Sequence, residues 1–193
     1  MNTLTTSRLI LKTIELEDAP KLVRFYRENI EHLSLWETKK DLSDPVALST
    51  FEERVVQWEK EYHLKTSLRF IIFLKDDPNK NIIGQCHFTQ IYLGPFKACY
   101  LGYQIDHRHE GQGLMTETLK IAIPYIFDEY DLNRIMANYM PENKRSAKLL
   151  CRLNFAIEGY ARKYLLVNNE WKDHVLTSLT RDRWSAQNLD NNI

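Results

Sequence analysis

The residues with the clearest chemical meaning are Arg108-His109-Glu110-Gly111-Gln112-Gly113, followed by Leu114 and Met115. They stand between a strand-like run, Ala98 to Ile105, and a helix-like run that reaches about Glu129. A helix start offers unpaired backbone N–H groups and the positive end of the helix dipole. Glycines let such a backbone approach an anion closely. The chemistry on offer is therefore phosphate binding. A nucleotide P-loop would need Gly-Lys-Ser/Thr where Leu114-Met115 stands, and a dinucleotide loop would need glycine at Thr116. A phosphate cradle of another kind and a plain glycine-rich turn both remain open. Downstream, Asn143 can cap a helix whose first turn is made positive by Lys144 and Arg145. His107-x-His109 lacks the third ligand a metal needs. Cys99 sits in a strand with no base placed beside it, so it reads as a core residue.

These residues need a frame, and hydropathy supplies one. Arg8 to Thr13 reads as a strand. A helix follows with Pro20 in its first turn and an apolar stripe through Leu22, Val23, Tyr26 and Ile30. After a polar connection holding Asp44-Pro45, a second helix has Phe51, Val55, Trp58 and Tyr62 on one face. Leu68–Leu74, Ile82–Tyr92 and Ala98–Ile105 are strands joined by turn residues, which predicts an antiparallel meander. Pro124 should kink or shorten the third helix. Asn133–Tyr139 comes after a helical crossover, so it should lie parallel to the strand before the glycine loop. A short helix runs from Asn143 to Leu153. Strands Phe155–Val167 and Trp171–Leu179 then flank Asn168-Asn169, a hairpin signal. The polar end from Asn188 is expected to fray. The class is α+β, with one mostly antiparallel sheet and a parallel pair in its middle.

The length of 193 residues suits a single domain, 1–193. Lys+Arg and Asp+Glu balance at 26 each, so no global basic charge advertises nucleic-acid recognition. Three cysteines without a C-x-x-C pair fit reduced thiols and a cytoplasmic location. No apolar run approaches a membrane span, and Met1 to Thr6 has no signal-peptide core, so no membrane association is expected.

The order of elements, with Arg108-x-x-Gly111-x-Gly113 between a strand and a helix, resembles the GNAT acyl-CoA N-acyltransferases. Asn143-x-x-Ser146 with Phe155 matches a second family signature, with Asn154 where glycine is usual. The resemblance implies a seven-stranded, mostly antiparallel sheet with helices on both faces, whose parallel fourth and fifth strands splay apart. It implies acetyl-CoA as cosubstrate and no metal. Coenzyme contacts would come from Ile105, His107, Arg108, Gly111, Gln112, Gly113, Leu114, Met115 and Asn143. Trp36-Glu37, Ala98–Tyr103, Arg134–Pro141 and Glu158–Leu166 are similar to the RimJ-type ribosomal-protein alanine N-acetyltransferases. That subgroup implies acetylation of an N-terminal alanine, with the fifth small-subunit ribosomal protein as partner. It leaves open association with the ribosome and a monomeric or homodimeric state.

The implied reaction is direct attack of a neutral amine on the thioester. An α-amine has a pKa of about 7.7–8.0, so a mild base suffices, directly or through a water. Glu158 is the candidate base, since RimL-type relatives place a glutamate there; the alternative is an exposed strand-edge residue. Ser146 is the candidate donor to the leaving thiolate, or only a coenzyme contact; Tyr164 or Tyr103 could replace it. A backbone N–H of the strand before the loop, at Ile105, would meet the oxyanion. Trp36, Tyr103, Tyr139 and Tyr164 are expected around the acceptor. Two other functions stay open: a small-amine (antibiotic or polyamine) acetyltransferase, and a ribosome-associated assembly factor with a vestigial coenzyme site.

Overall fold

The computed structural model describes residues 2–36 and 46–190; Glu37 and the Asp44-Pro45 connection fall outside them. The strands are β1 (Thr3–Thr5), β2 (Leu9–Thr13), β3 (Leu68–Leu74), β4 (Ile82–Tyr92), β5 (Ala98–Ile105), β6 (Arg134–Tyr139), β7 (Ala156–Val167) and β8 (Glu170–Thr180). They form one eight-stranded sheet in the order β1-β2-β3-β4-β5-β6-β8-β7. Among the described residues, only the β5–β6 pair is parallel. The sheet therefore has one strand more than expected. Thr3–Thr5 is too short and polar to show a strand pattern, and it is held by pairing with β2 from Thr3–Lys12 to Thr5–Ile10. The parallel pair thus becomes the fifth and sixth strands.

Helices cover both faces. α1 (Ala19–Leu33) and α2 (Leu48–His63) lie on one side, where Leu22, Phe25, Phe51 and Val55 pack against Ile71, Phe73 and Ile82. A 3-10 turn, Leu16–Asp18, capped by a box between Glu15 and Asp18, leads into α1, whose first turn tolerates Pro20 because no donor is needed there. α3 (Leu114–Glu129) and α4 (Lys144–Arg152) cover the other face, with Leu119, Ile123, Ile126 and Leu150 in the larger core. α3 continues past Pro124 to Glu129, so the proline does not shorten it. α5 (Arg181–Asp190), a helix the sequence reading did not include, is anchored by buried Trp184. Among the described residues, no helix is long and apolar enough to cross a membrane.

The feature that shapes the site is a failure of pairing. β5 and β6 share only the pairs Ala98–Arg134, Cys99–Ile135 and Tyr100–Met136. Beyond them, β5 stays paired to β4 as far as Ile105, and β6 stays paired to β8 as far as Tyr139. Each strand follows its outer neighbour, so the sheet opens along a seam from Leu101 and Ala137 onward. Backbone groups facing the seam are left for something else to satisfy.

Candidate active site

A cleft of about 520 Å³ occupies the seam. On the α3–α4 side its wall includes Gly111, Gly113, Leu114, Met115, Asn143 and Ser146. On the α1–α2 side it includes His32, Trp36, His87, Asn138 and His174. Ile105, Tyr103 and Tyr139 lie along the seam itself. The cleft therefore runs through the sheet from one helical layer to the other.

The loop half is built for an anion. Gly111 and Gly113 have φ of 72° and 76°, a left-handed conformation in which side chains strain. Gly113 is the N-cap of α3 and supplies no side-chain cap, so the first-turn amides have no side-chain acceptor there. On α4, Asn143 accepts a hydrogen bond from the Ser146 amide at 3.0 Å and fixes the helix start beside the loop. Asn154 takes φ of 65° after α4, the conformation expected of the residue in the glycine position. This donor set and cradle suit a coenzyme A pyrophosphate.

Not every predicted coenzyme contact faces the cleft. The Arg108 side chain turns away and binds buried Asp106 and Glu28, and its backbone N–H donates to Asp106 Oδ1 at 2.8 Å. Burial alone would raise the Asp106 pKa, but the hydrogen bonds from Arg108 and Asn29 hold it well below the carboxylate range. Arg108 thus braces the loop from behind. His107 is likewise held from outside, with its backbone N–H donating to Asn29 Oδ1 at 3.0 Å. Gln112 lies outside the cleft wall too; its carbonyl accepts from Arg8, which also pairs with Glu117 at 2.6 Å. Glu110 does face the cleft, where it pairs with Arg145 on α4 and lies 3.0 Å from His32 Nε2.

Mid-seam, the Tyr103 hydroxyl lies 2.6 Å from Ser146 Oγ. Burial pushes the Tyr103 pKa up to about 12, so the phenol keeps its proton at neutral pH. A protonated phenol is the better donor of the two, which leaves the Ser146 proton free to point into the cleft.

Glu158 is not brought to the cleft. It lies on β7, the edge strand, two strands from the seam, where a register shift separates Ile157 from Gly159. Its carboxylate is ion-paired with Arg134, below the point where the seam opens. Hydrogen bonds from Arg134 and Ser178 lower its pKa, which makes it a poorer base. Tyr164 is not in the cleft wall itself but packs against two wall residues: its hydroxyl accepts from Asn138 Nδ2 at 3.2 Å and its ring lies 5.5 Å from His174.

Of the four imidazoles in the wall, the sequence reading noted only His109; His32, His87 and His174 escaped it. The available signal was polar residues at inward strand positions: His87 between Cys86 and Phe88, and His174 in the alternation of β8. His87 has room because Gly102 opposes it; a Cβ there would collide with the imidazole at Nε2.

The acetyltransferase (GNAT) domain family matches residues 8–156. The chain is 44% identical over 182 residues to the [ribosomal protein uS5]-alanine N-acetyltransferase of Escherichia coli (strain K12), covering 94% of this chain and 92% of that protein. The crystal structure of the ribosomal-protein-S5-alanine acetyltransferase from Vibrio fischeri has a TM-score of 0.89 at 31% identity, covering 95% of this chain and 99% of the other. That of Mycobacterium smegmatis RimJ, in complex with CoA-disulfide, has a TM-score of 0.84 at 25% identity, with coverage of 93% and 89%.

Proposed function

The chain belongs to the GNAT acetyltransferase family, and from that premise we propose that it transfers the acetyl group of acetyl-CoA to the N-terminal alanine of ribosomal protein uS5. The observation that carries this reading is the cleft through the opened β5–β6 seam, with an anion cradle in one layer and an aromatic, imidazole-lined pocket in the other. A reaction between two substrates needs such a through-passage, so that the thioester and the amine meet mid-sheet.

Gly111, Gly113 and the amides of Leu114 and Met115 would hold the pyrophosphate, with Asn143 beside them. Backbone groups of Leu101 to Ile105 would pair with the pantetheine amides, and the Ile105 N–H would meet the oxyanion. Trp36, Tyr139 and Tyr164 would wall the acceptor. Ser146, receiving the Tyr103 proton's hydrogen bond, donates its own proton to the departing thiolate, whose ordinary pKa is about 8.5. An N-terminal amine suits this pocket because a useful fraction of it is neutral at pH 7; a lysine, with a pKa of about 10.4, is nearly all charged.

The test is transfer of labelled acetyl from acetyl-CoA to a peptide bearing the uS5 N-terminus, with the label mapped by fragmentation. Label on the α-amine is expected. Label confined to lysine side chains, or turnover of polyamines with no peptide product, would reject the assignment. A calorimetric titration showing no acetyl-CoA binding would favour a non-enzymatic, ribosome-associated role.

A further inference from the structure

With Glu158 held by Arg134 at the sheet edge, the cleft still needs a group to take the proton of the attacking amine. His174 is placed for this. It lies on β8 with 5% exposure and lines the cleft. Its Nδ1 is 3.1 Å from the backbone carbonyl oxygen of Lys172. A carbonyl can only accept, so Nδ1 must carry a proton, and in the neutral ring the lone pair is then on Nε2. A backbone carbonyl on Nδ1 also steadies the imidazolium that forms when Nε2 takes up a proton.

The surroundings of this imidazole are built by an irregularity. Between the pairs Ala161–His174 and Leu165–Lys172, β7 carries two more residues than β8. Lys163 takes φ of 48° in this bulge, and its N–H donates to Asp173 Oδ1 at 2.8 Å. Bulges re-aim side chains, and this one turns Tyr164 inward against His174 and Asn138. Asp173 is occupied by Tyr160 and Lys163. The other titratable or charged groups that line the cleft with His174 are His32, His87, Tyr103, His109, Glu110, Tyr139, Arg145, Lys148 and Arg152. Glu110 is committed to Arg145 and His32.

We propose that His174 is the catalytic base: its Nε2 removes a proton from the α-amine nitrogen as that nitrogen bonds to the thioester carbonyl carbon. The C–S bond then breaks, the sulfur takes the Ser146 hydroxyl proton as Ser146 takes one from Tyr103, and the phenol regains a proton from solvent while the imidazolium returns its own. The net change is amine plus thioester to amide plus thiol. The assignment rests on the reading that an amine enters from the α1–α2 side.

Two measurements test it. His174→Gln is expected to lower kcat by about 100-fold or more, within the range for loss of a general base. It should bind acetyl-CoA within about twofold of wild type and lose the low-pH limb of the kcat/KM profile. A folded, coenzyme-binding variant with wild-type turnover across pH overturns the proposal. The second reads the intact protein: nitrogen chemical shifts should show neutral His174 with its proton on Nδ1. A neutral ring protonated on Nε2 would overturn the proposal even where the variant does not fold. If wild type acetylates no peptide, the acceptor assignment fails, while the tautomer and the variant's turnover of whatever amine wild type does accept still decide the role of His174.

Discussion

The two halves of the cleft are made differently. The coenzyme half comes from two contiguous stretches, Glu110–Thr116 and Asn143–Ser146, each carrying its own backbone conformation and cap. The half proposed for the acceptor is assembled from α1 and the turn after it, β4, β6 and β8, with His32, Trp36, His87, Asn138 and His174 far apart in the chain and Tyr164 of β7 packed against the last two. A motif can specify the first half because local geometry does the binding. The second depends on strand register, on a bulge and on a missing Cβ, so it can change while the first stays fixed.

Substitutions should separate the halves. The largest effect in this series is expected at the junction. Ser146→Ala should lower kcat by about 100-fold with unchanged acetyl-CoA affinity, as loss of a positioned proton donor does. Tyr103→Phe should cost less and add nothing in the Ser146→Ala background, because the phenol acts through Ser146. Additive effects in that double-mutant cycle would break the chain of donation.

Gly113→Val attacks only the coenzyme half. Forcing a β-branched residue to φ of 76° costs on the order of 1–2 kcal/mol. Acetyl-CoA titration should show about tenfold weaker binding, the equivalent of ~1.4 kcal/mol, with peptide KM little changed. Trp36→Ala should do the reverse, raising peptide KM several-fold while acetyl-CoA binds normally. If each variant moved both constants equally, the halves would not be separable.

The loop's bracing gives a pH prediction. The Asp106 pKa is lower in the fold than in the open chain, so its stabilisation is fully present above the ordinary carboxylate range. It is lost as pH falls through the lower folded value. Asp106→Asn should therefore lose stability at neutral pH, and its melting temperature should converge on that of wild type in strong acid. An unchanged gap down to low pH would mean that Arg108 braces nothing through this carboxylate.

The smallest effect is expected at Glu158. Glu158→Gln removes an exposed ion pair worth about 0–1 kcal/mol, and turnover should stay within about twofold of wild type. A large drop in kcat would return the base to β7 and remove the case for His174.

The same division governs what was legible before the structure. The strand meander, the parallel crossover and the Asn168-Asn169 turn follow from residue patterns with a local cause, and φ of 49° and 61° at those asparagines fits the hairpin. Asn143 and Asn154 do their capping work where expected. Thr3–Thr5 and α5 were illegible because tertiary pairing and one buried tryptophan hold them. Arg108 misled for a physical reason: an arginine in a phosphate-loop pattern reads as a ligand, but Asp106 and Glu28 claim it. Glu158 misled because position along a strand does not reveal how many strands separate it from the seam.

The central claim is that thioester and amine meet in one passage through the sheet and react directly. The buried thiols of Cys86 and Cys99 are pushed far up by desolvation, which opposes a covalent route through either of them. Initial rates measured while acetyl-CoA and the uS5 N-terminal peptide are varied together test this most directly. Intersecting double-reciprocal lines, with no acetylated enzyme formed when the peptide is withheld, are predicted. Parallel lines and an isolable acetyl-enzyme would contradict it.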